Sequence, residues 1–428
     1  MSTPIILLLV IMVGGILLGF PIVWAMMSGC IACLMLEPNL VLTIVPQKVF
    51  LGLNNFAFLA IPCFLLCGDI MARGGLSRRL CDFCNALVGW LKGGLSIVAI
   101  IACAIFAAIS GSAVATTAAI GGIMHPEMVK RGYSSPYSAA LPAVAGTLGI
   151  IIPPSIVFVI YGSTNGVSIS KLLMSGMLPG ILTAVVLCLY GYVVAKKENF
   201  PKSFDQFSLK RVLKSLKGAV WALMMPLIIL GGIYGGIFTP TESAMIACAY
   251  GLVVSFFVTK ELTVKNFFDV VSKTAASPAN VTVMFLAAQV FGFLIAYYDI
   301  TTTIANFFVA VSPNWIIFMG LVFILLTITG MFMEVGATNV ILSPLLAPVA
   351  AAFGIDPIHF GMVFVFLLAL GQATPPFGST MFIACGISGE RVAAVIRRLL
   401  PFVLVEYACA LVFAYVPWFS TFLPSLMA

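Results

Sequence analysis

Long apolar stretches alternate with short polar ones along the chain. No charged residue interrupts Met1 to Leu36. As one helix that stretch would be about 54 Å long, at about 1.5 Å per residue, where one bilayer crossing needs about 30 Å. It must fold back, and Gly19-Phe20-Pro21 is the natural corner. The expected spans are 3–19 and 21–36, and the same layout recurs over 218–259 with its corner at Phe238-Thr239-Pro240. Further spans read at 51–72, 137–163, 171–195, 278–298, 358–386 and 399–420. Two other apolar stretches carry a kink in the middle: Ser110-Gly111-Ser112 within 94–131, and Gly330 to Gly336 within 314–352. Both are expected to be re-entrant hairpins that enter and leave on one face.

The two halves match at a fixed offset. Pro153-Pro154 maps onto Pro375-Pro376, Gly149 onto Gly371, Pro126 onto Pro348, Gly132 onto Gly354 and Thr116 onto Thr338, each 222 residues away. Near the repeat starts the offset is 219, pairing Pro21 with Pro240, Ala25 with Ala244 and Met26 with Met245. The expected fold is an all-α polytopic membrane protein of two repeats, 1–195 and 218–428, joined by a basic linker at 196–217. Each repeat holds five spanning helices, a hairpin and a broken helix. An odd number of crossings inverts the second repeat, an arrangement characteristic of secondary transporters and shared by some channels.

Composition agrees with the pattern. The chain is 62% hydrophobic and 8% charged, where soluble domains carry about 25% charged residues. A net charge of +7 does not call for nucleic acid, because the basic residues sit between apolar stretches. With the N-terminus outside and neither hairpin crossing, 19 of 21 basic residues fall on one side, leaving only Lys48 and Lys171 opposite. That is the positive-inside bias, and it places the chain in a bacterial inner membrane with both termini periplasmic. The segment Lys196–Lys217 reads as a solvated cytoplasmic linker with some attraction to anionic lipid. No basic n-region precedes the first apolar stretch, so it is expected to be retained structure rather than a signal peptide.

Eleven cysteines are mostly scattered through apolar segments, where they act as small apolar side chains. Cys81 and Cys84 form a C-x-x-C without a second pair or histidine at zinc spacing. No G-x-S-x-G, H-E-x-x-H or P-loop pattern occurs, which argues against an enzyme.

The chemistry concentrates in four places. Gly146-Thr147-Leu148-Gly149-Ile150-Ile151-Ile152-Pro153-Pro154-Ser155 lies mid-span, with two prolines that remove donors and two glycines that permit non-helical dihedrals. A simple proline kink would account for one such segment. Its recurrence at Leu370-Gly371-Gln372-Ala373-Thr374-Pro375-Pro376-Phe377-Gly378 points instead to paired discontinuous helices around a binding site. The freed carbonyls are tolerated in a bilayer only against protein or an aqueous cavity, and they suit a hard cation such as sodium. At the hairpin tips, Ser110, Gly111, Ser112, Thr116 and Thr117 answer to Gly330, Glu334, Gly336, Thr338 and Asn339. Helix N-termini after such turns attract a carboxylate. Glu334 stands out, because an ionisable group at membrane depth is costly; a tip open to water is the alternative. Asp69 reads as solvated at a span end, Glu242 as an acid in a helix first turn, and His125 and His359 as structural. Glu406 lies inside the last span without an evident partner. The glycine pairs Gly15/Gly19, Gly231/Gly235 and Gly232/Gly236 are small-xxx-small spacings suited to close helix packing.

These segments resemble a known family, the large membrane subunit of the tripartite ATP-independent periplasmic (TRAP) transporters. The matching stretches are GGIYGGIFTPTESA (231–244), SGSAVATTAAIGGIMHPEMVKRGY (110–133), GTLGIIIPPSIVFVIYG (146–162), GIDPIHFG (354–361) and GQATPPFG (371–378). His125 and Glu334 depart from the family, which more often has an apolar residue and an aspartate there. The resemblance implies an elevator-type carrier that imports organic acids such as C4-dicarboxylates or sialic acid. It implies sodium coupling, a periplasmic substrate-binding protein and a small four-helix membrane subunit, here expected on a separate chain. Sodium would then be held by Ser110, Gly111, Ser112, Gly146, Gly149 and Pro153 in one half, and by Gly330, Glu334, Gly371 and Thr374 in the other. Substrate would meet Ser112, Thr116, Ser155, Thr338, Asn339 and Gly378. The alternative is a stand-alone anion carrier or channel that needs no binding protein.

Overall fold

The computed structural model describes residues 3–54 and 56–427. Met1 and Ala428, both predicted periplasmic, lie outside them. The described residues form helices and no strands. In chain order the first half contains α1 (Thr3–Leu17), α2 (Ile22–Leu36), α3 (Ile44–Leu53), α4 (Ala60–Arg73), α5 (Leu76–Val88), α6 (Gly94–Ser110), α7 (Ala113–Lys130), α8 (Ser135–Ala145), α9 (Leu148–Ile151), α10 (Ile156–Asn165) and α11 (Ile169–Lys197). The second contains α12 (Leu209–Tyr234), α13 (Pro240–Val253), α14 (Val264–Tyr297), α15 (Ile300–Val311), α16 (Trp315–Phe332), α17 (Val335–Ala352), α18 (Pro357–Gly371), α19 (Ser379–Ser388), α20 (Val392–Tyr415) and α21 (Trp418–Thr421).

The helix boundaries repeat with the sequence. Shifting α7 by 222 residues lands on α17 end to end, and the start of α8 lands on the start of α18. Both Pro-Pro bonds, Pro153-Pro154 and Pro375-Pro376, are cis. Gly132 and Gly354, also 222 apart, both take positive φ, 87° and 73°. Each ends the turn after a hairpin arm, where a side chain would be strained.

Eight helices among the described residues are long and apolar enough to cross a membrane, or nine if the bent pair Val392–Tyr415 and Trp418–Leu426 counts as one. Ten spans were expected. The nine include α16 and α17, the arms of the expected hairpin 314–352, and lack three expected spans: 358–386, which is broken into α18 and α19, and 3–19 and 21–36, whose helices α1 and α2 have 15 residues each, about 22 Å of helix against a hydrocarbon core of about 30 Å. The expected span 51–72 is α3, a 3₁₀ turn (Phe56–Leu59) and α4, whereas 278–298 extends to the 34 residues of α14. The helices α5 and α15 were not expected at all; α5 carries Arg78, Arg79 and Asp82 and has little net apolarity to announce it.

The linker is also shorter than its expected bounds of 196–217. Lys196 and Lys197 end α11, and Leu209 already begins α12. Lysine and arginine are good helix formers, so basic composition did not mark a loop. The non-helical remainder, 198–208, is strapped down rather than free. Ser203 N–H donates to the Gly89 carbonyl at 2.8 Å, Arg131 donates to the Ser203 carbonyl at 2.8 Å, and the Tyr133 hydroxyl donates to the Pro201 carbonyl at 3.2 Å.

Helices of the two halves interleave. α12 packs on α5, α13 on α4, and α14 on α2, α3 and α4; α20 packs on α8, α19 on α7, and α17 on α10. At the centre lie α8 and α18, where Tyr137–Ala145 and His359–Gly371 are buried without interruption. A helix apolar on every side belongs in such a position. Outer helices expose several large apolar residues each instead, such as Ile6, Val10 and Val13 on α1 and Ile316, Ile324 and Ile328 on α16. The corner before α13 is held by a reciprocal capping box, Thr239 hydroxyl to Glu242 backbone and Glu242 carboxylate to Thr239 backbone, in keeping with Glu242 as a first-turn acid. His125 bonds Ser135 at 3.1 Å, and His359 lies between Ser420 (2.8 Å) and the Ala414 carbonyl (3.2 Å), both structural placements. Asp69, expected to be simply solvated, accepts a hydrogen bond from Thr274 at 2.5 Å.

Small residues decide where helices meet closely. A Cβ on Gly15 would stand 2.9 Å from the Ala25 Cβ, so that glycine does bring α1 against α2. Gly19, Gly231 and Gly236 face open space. The tighter small-xxx-small contact is Gly176/Gly180 on α11: Cβ atoms there would stand 2.4 Å from the Ile151 carbonyl oxygen and 2.5 Å from the Ile152 side chain. Gly176→Ala should therefore cost about 1–3 kcal/mol by overpacking. Gly14→Ala, with nothing within 4 Å, should be neutral or stabilising by up to about 1 kcal/mol. Thermal unfolding of the detergent-solubilised chain compares the two.

Candidate binding site at the helix breaks

The first tip is two residues long. α6 ends at Ser110, Gly111 turns with φ 61°, and extended Ser112 caps α7 by accepting from Ala115 N–H at 3.4 Å. Thr116, fully buried, donates to the Ser112 carbonyl at 2.8 Å, and its hydroxyl lies 2.8 Å from that of Ser110. The first break follows α9: Ile152 is extended, and Ser155, also buried, caps α10 by accepting from Phe158 N–H at 3.4 Å.

Tip and break are docked backbone to backbone. Ile156 N–H donates to the Gly111 carbonyl at 3.3 Å. A Cβ on Gly111 would stand 2.9 Å from the Pro154 carbonyl oxygen. One on Gly149 would stand 2.5 Å from the Ser112 carbonyl oxygen and 2.7 Å from the Thr116 hydroxyl, and one on Gly146 only 1.9 Å from the Thr117 hydroxyl. The structure thus gathers Ser110, Gly111, Ser112, Gly146, Gly149 and the Pro153-Pro154 turn into one locus, with the N-termini of α7 and α10 side by side.

The second half repeats the motif with one change. Glu334 takes the Ser112 role and caps α17, accepting from Ala337 N–H at 2.9 Å. Thr338 donates to the Glu334 carbonyl at 3.0 Å, as Thr116 does to Ser112. Gly330 and Gly371 touch through their backbones: a Cβ on Gly371 would stand 2.6 Å from the Gly330 Cα. In the second break the Gln372 carbonyl accepts from both the N–H and the hydroxyl of Thr380, at 3.0 and 2.9 Å, and Gly378 folds back onto that carbonyl. Thr374 donates to the Leu370 carbonyl at 2.7 Å, and its hydroxyl lies 3.1 Å from that of Tyr407 on α20.

Glu334 does not join Thr374. It is exposed, and it lines a cavity of about 700 Å³ with Pro21, Ile22, Trp24, Asn280 and Met284, between the tip and the helices α2 and α14. The two halves meet instead through Asn339, whose Nδ2 donates to the Val157 carbonyl at 2.9 Å, two residues past Ser155. Asn339 Oδ1, Gln372 Oε1 and Ser379 Oγ are buried without a hydrogen-bond partner among the described residues. Tyr407 and Gln372 were not anticipated. Gln372 stood inside a recognised motif, but nothing in the sequence joins Tyr407 to Thr374, 33 residues earlier.

The family model of the tripartite ATP-independent periplasmic transporter, DctM component, matches residues 6–419. The chain belongs to this TRAP transporter family. It is 40% identical over 402 residues to the isethionate TRAP transporter permease protein DctMQ of Oleidesulfovibrio alaskensis, covering 94% of this chain but only 63% of that longer protein. It is 36% identical to the C4-dicarboxylate TRAP transporter large permease protein DctM of Vibrio cholerae, covering 98% of this chain and 97% of that one. To the sialic acid TRAP transporter large permease protein SiaM of the same organism it is 32% identical, covering 96% of each. The YdaH transporter of Alcanivorax borkumensis shares its fold, with a TM-score of 0.65 and 14% identity over 97% of this chain and 98% of that one. The chain is a multi-pass transport protein of the TRAP large-permease family and not an enzyme.

The Thr116 hydroxyl holds the first tip closed on itself. Thr116→Val should cost about 1–3 kcal/mol, because the buried Ser110 hydroxyl and Ser112 carbonyl each lose a partner. Chemical denaturation of the purified chain measures it.

Proposed function

We propose that this TRAP permease carries small organic anions across a bacterial inner membrane together with sodium, fed by a periplasmic binding protein and working with a small membrane subunit. The observation that carries the reading is the doubled site, two capped hairpin tips each docked on a Pro-Pro break. Two inverted repeats, 1–195 and 218–428, would present these sites in turn to the two sides of the membrane, and an elevator movement of the hairpins and broken helices against the outer helices would carry them across.

The donor set suits the cargo. It consists of hydroxyls and carbonyls, hard oxygens fit for sodium, at Ser110, Ser112 and Thr374 and at the backbones of Gly111, Gly146, Gly149, Pro153, Gly330 and Gly371. Glu334 would repel an organic anion at close range, so it belongs with the cation. The substrate carboxylate or sulfonate would face the N-termini of α7 and α10, whose N–H groups and dipoles favour negative charge. Ser112, Thr116, Ser155, Thr338, Asn339 and Gly378 would select its shape. The relatives named for isethionate, C4-dicarboxylate and sialic acid all take small organic acids, and this is the substrate class expected here.

Reconstitution with binding protein and small subunit provides the test. Uptake into proteoliposomes should require an inward sodium gradient, and uptake indifferent to sodium would sink the coupling. Uptake by this chain alone would favour a stand-alone carrier. Ser112→Trp and Thr374→Trp should each lower uptake at least about tenfold, a barrier change of about 1.4 kcal/mol or more, while the protein still elutes as a folded species. Unchanged uptake would remove those residues from the site.

A further inference from the structure

Among the described residues Glu406 is the one acidic residue buried completely, at 0% exposure. It lies on α20 and reaches the first break: its Oε1 is 2.7 Å from the Thr147 hydroxyl oxygen. The same hydroxyl oxygen is 2.7 Å from the Val144 carbonyl oxygen. A hydroxyl has one proton and a backbone carbonyl can only accept. If Thr147 donates to Val144, the contact with Glu406 needs its proton from the carboxyl side. An ionised carboxylate would have to share that single proton with the carbonyl. Its other oxygen, Oε2, has no hydrogen-bond partner among the described residues.

No cation offsets a charge there. None of the ion pairs among the described residues involves Glu406. The elements packed on α20 are α8, α11, α16, α18 and α19. Their titratable groups are engaged elsewhere or neutral. Tyr137 on α8 bonds Ser96, His359 on α18 bonds Ser420 and Ala414, and Cys385 on α19 is a free thiol. On α11, Tyr190 packs its ring on Phe402, Tyr192 is exposed, Cys188 is a free thiol, and Lys171, Lys196 and Lys197 sit at the helix ends. α16 has no ionisable residue. On α20 itself Tyr407 faces Thr374, Cys409 is a free thiol, Tyr415 donates to the Ile316 carbonyl, Arg397 is exposed nine residues before Glu406, and Arg398 pairs with Glu198. An isolated buried carboxylate costs far more than a neutral acid.

We propose that Glu406 is a proton-binding site, carried as the neutral acid in this conformation and donating to Thr147, which donates in turn to Val144. The adjacent Tyr407 touches the second break at Thr374, so neighbouring residues of α20 hold both breaks. Water reaching this joint would take the proton from Oε1, and the resulting carboxylate would lose its place against Thr147. Movement of α20 relative to the first break is thereby tied to proton release and uptake, separately from any sodium site.

Infrared spectroscopy of the purified full-length chain at neutral pH tests this without any transport assay, so it can fail while the carrier reading survives, and the reverse. The wild type should show the carbonyl-stretch band of a protonated carboxylic acid, and Glu406→Gln should abolish it. Thr147→Val, which removes the acceptor, should shift the band, and it decides the matter if the Gln variant does not fold. Absence of an acid band in the wild type, a band that Glu406→Gln leaves in place, or a band unmoved by Thr147→Val would overturn the proposal.

Discussion

A backbone that leaves the helix inside a membrane must find its hydrogen-bond partners within the protein. The structure is organised around that requirement. Each Pro-Pro break strands donors and acceptors near the middle of the molecule, and local protein groups meet them. At the first break the partner is the Gly111 carbonyl of the facing tip. At the second it is Thr380, the second residue of the following helix. The glycines at 111, 146, 149, 330 and 371 serve the same end, because side chains there would push tip and break apart. The central helices α8 and α18 are buried on all sides because they deliver the chain to these breaks.

The substitution of glutamate for serine at the second tip shows how the motif tolerates asymmetry. The capping task needs only an acceptor for the N–H groups of the next helix, and serine, threonine, aspartate and asparagine supply it most often. At position 334 a longer acid does the capping while its exposed surface borders a cavity. The halves thus share a backbone at their tips and differ there in charge.

Much of this was legible in the chain itself. The proline pairs, the glycines around them and the constant offset of 222 marked both breaks, and the polar tips marked both turns to within two residues. Hydropathy placed the long spans well because they are long. It missed α5 and α15, where short helices near the surface carry mixed residues, and it overextended the linker, where basic residues continue the flanking helices. Contacts made by single side chains across hundreds of residues were beyond reach. Thr147 meeting Glu406 and Asn339 meeting Val157 follow from how helices of the two halves interleave, and no local periodicity encodes that.

The interleaving has a consequence for how the protein is made. α4, α5, α7, α8 and α10 each pack on at least one helix that emerges from the ribosome later, from α12 onward. The segment at 198–208, pinned to Gly89 and Arg131, can fasten as soon as it is synthesised. Those bonds fix where the second half begins relative to the first.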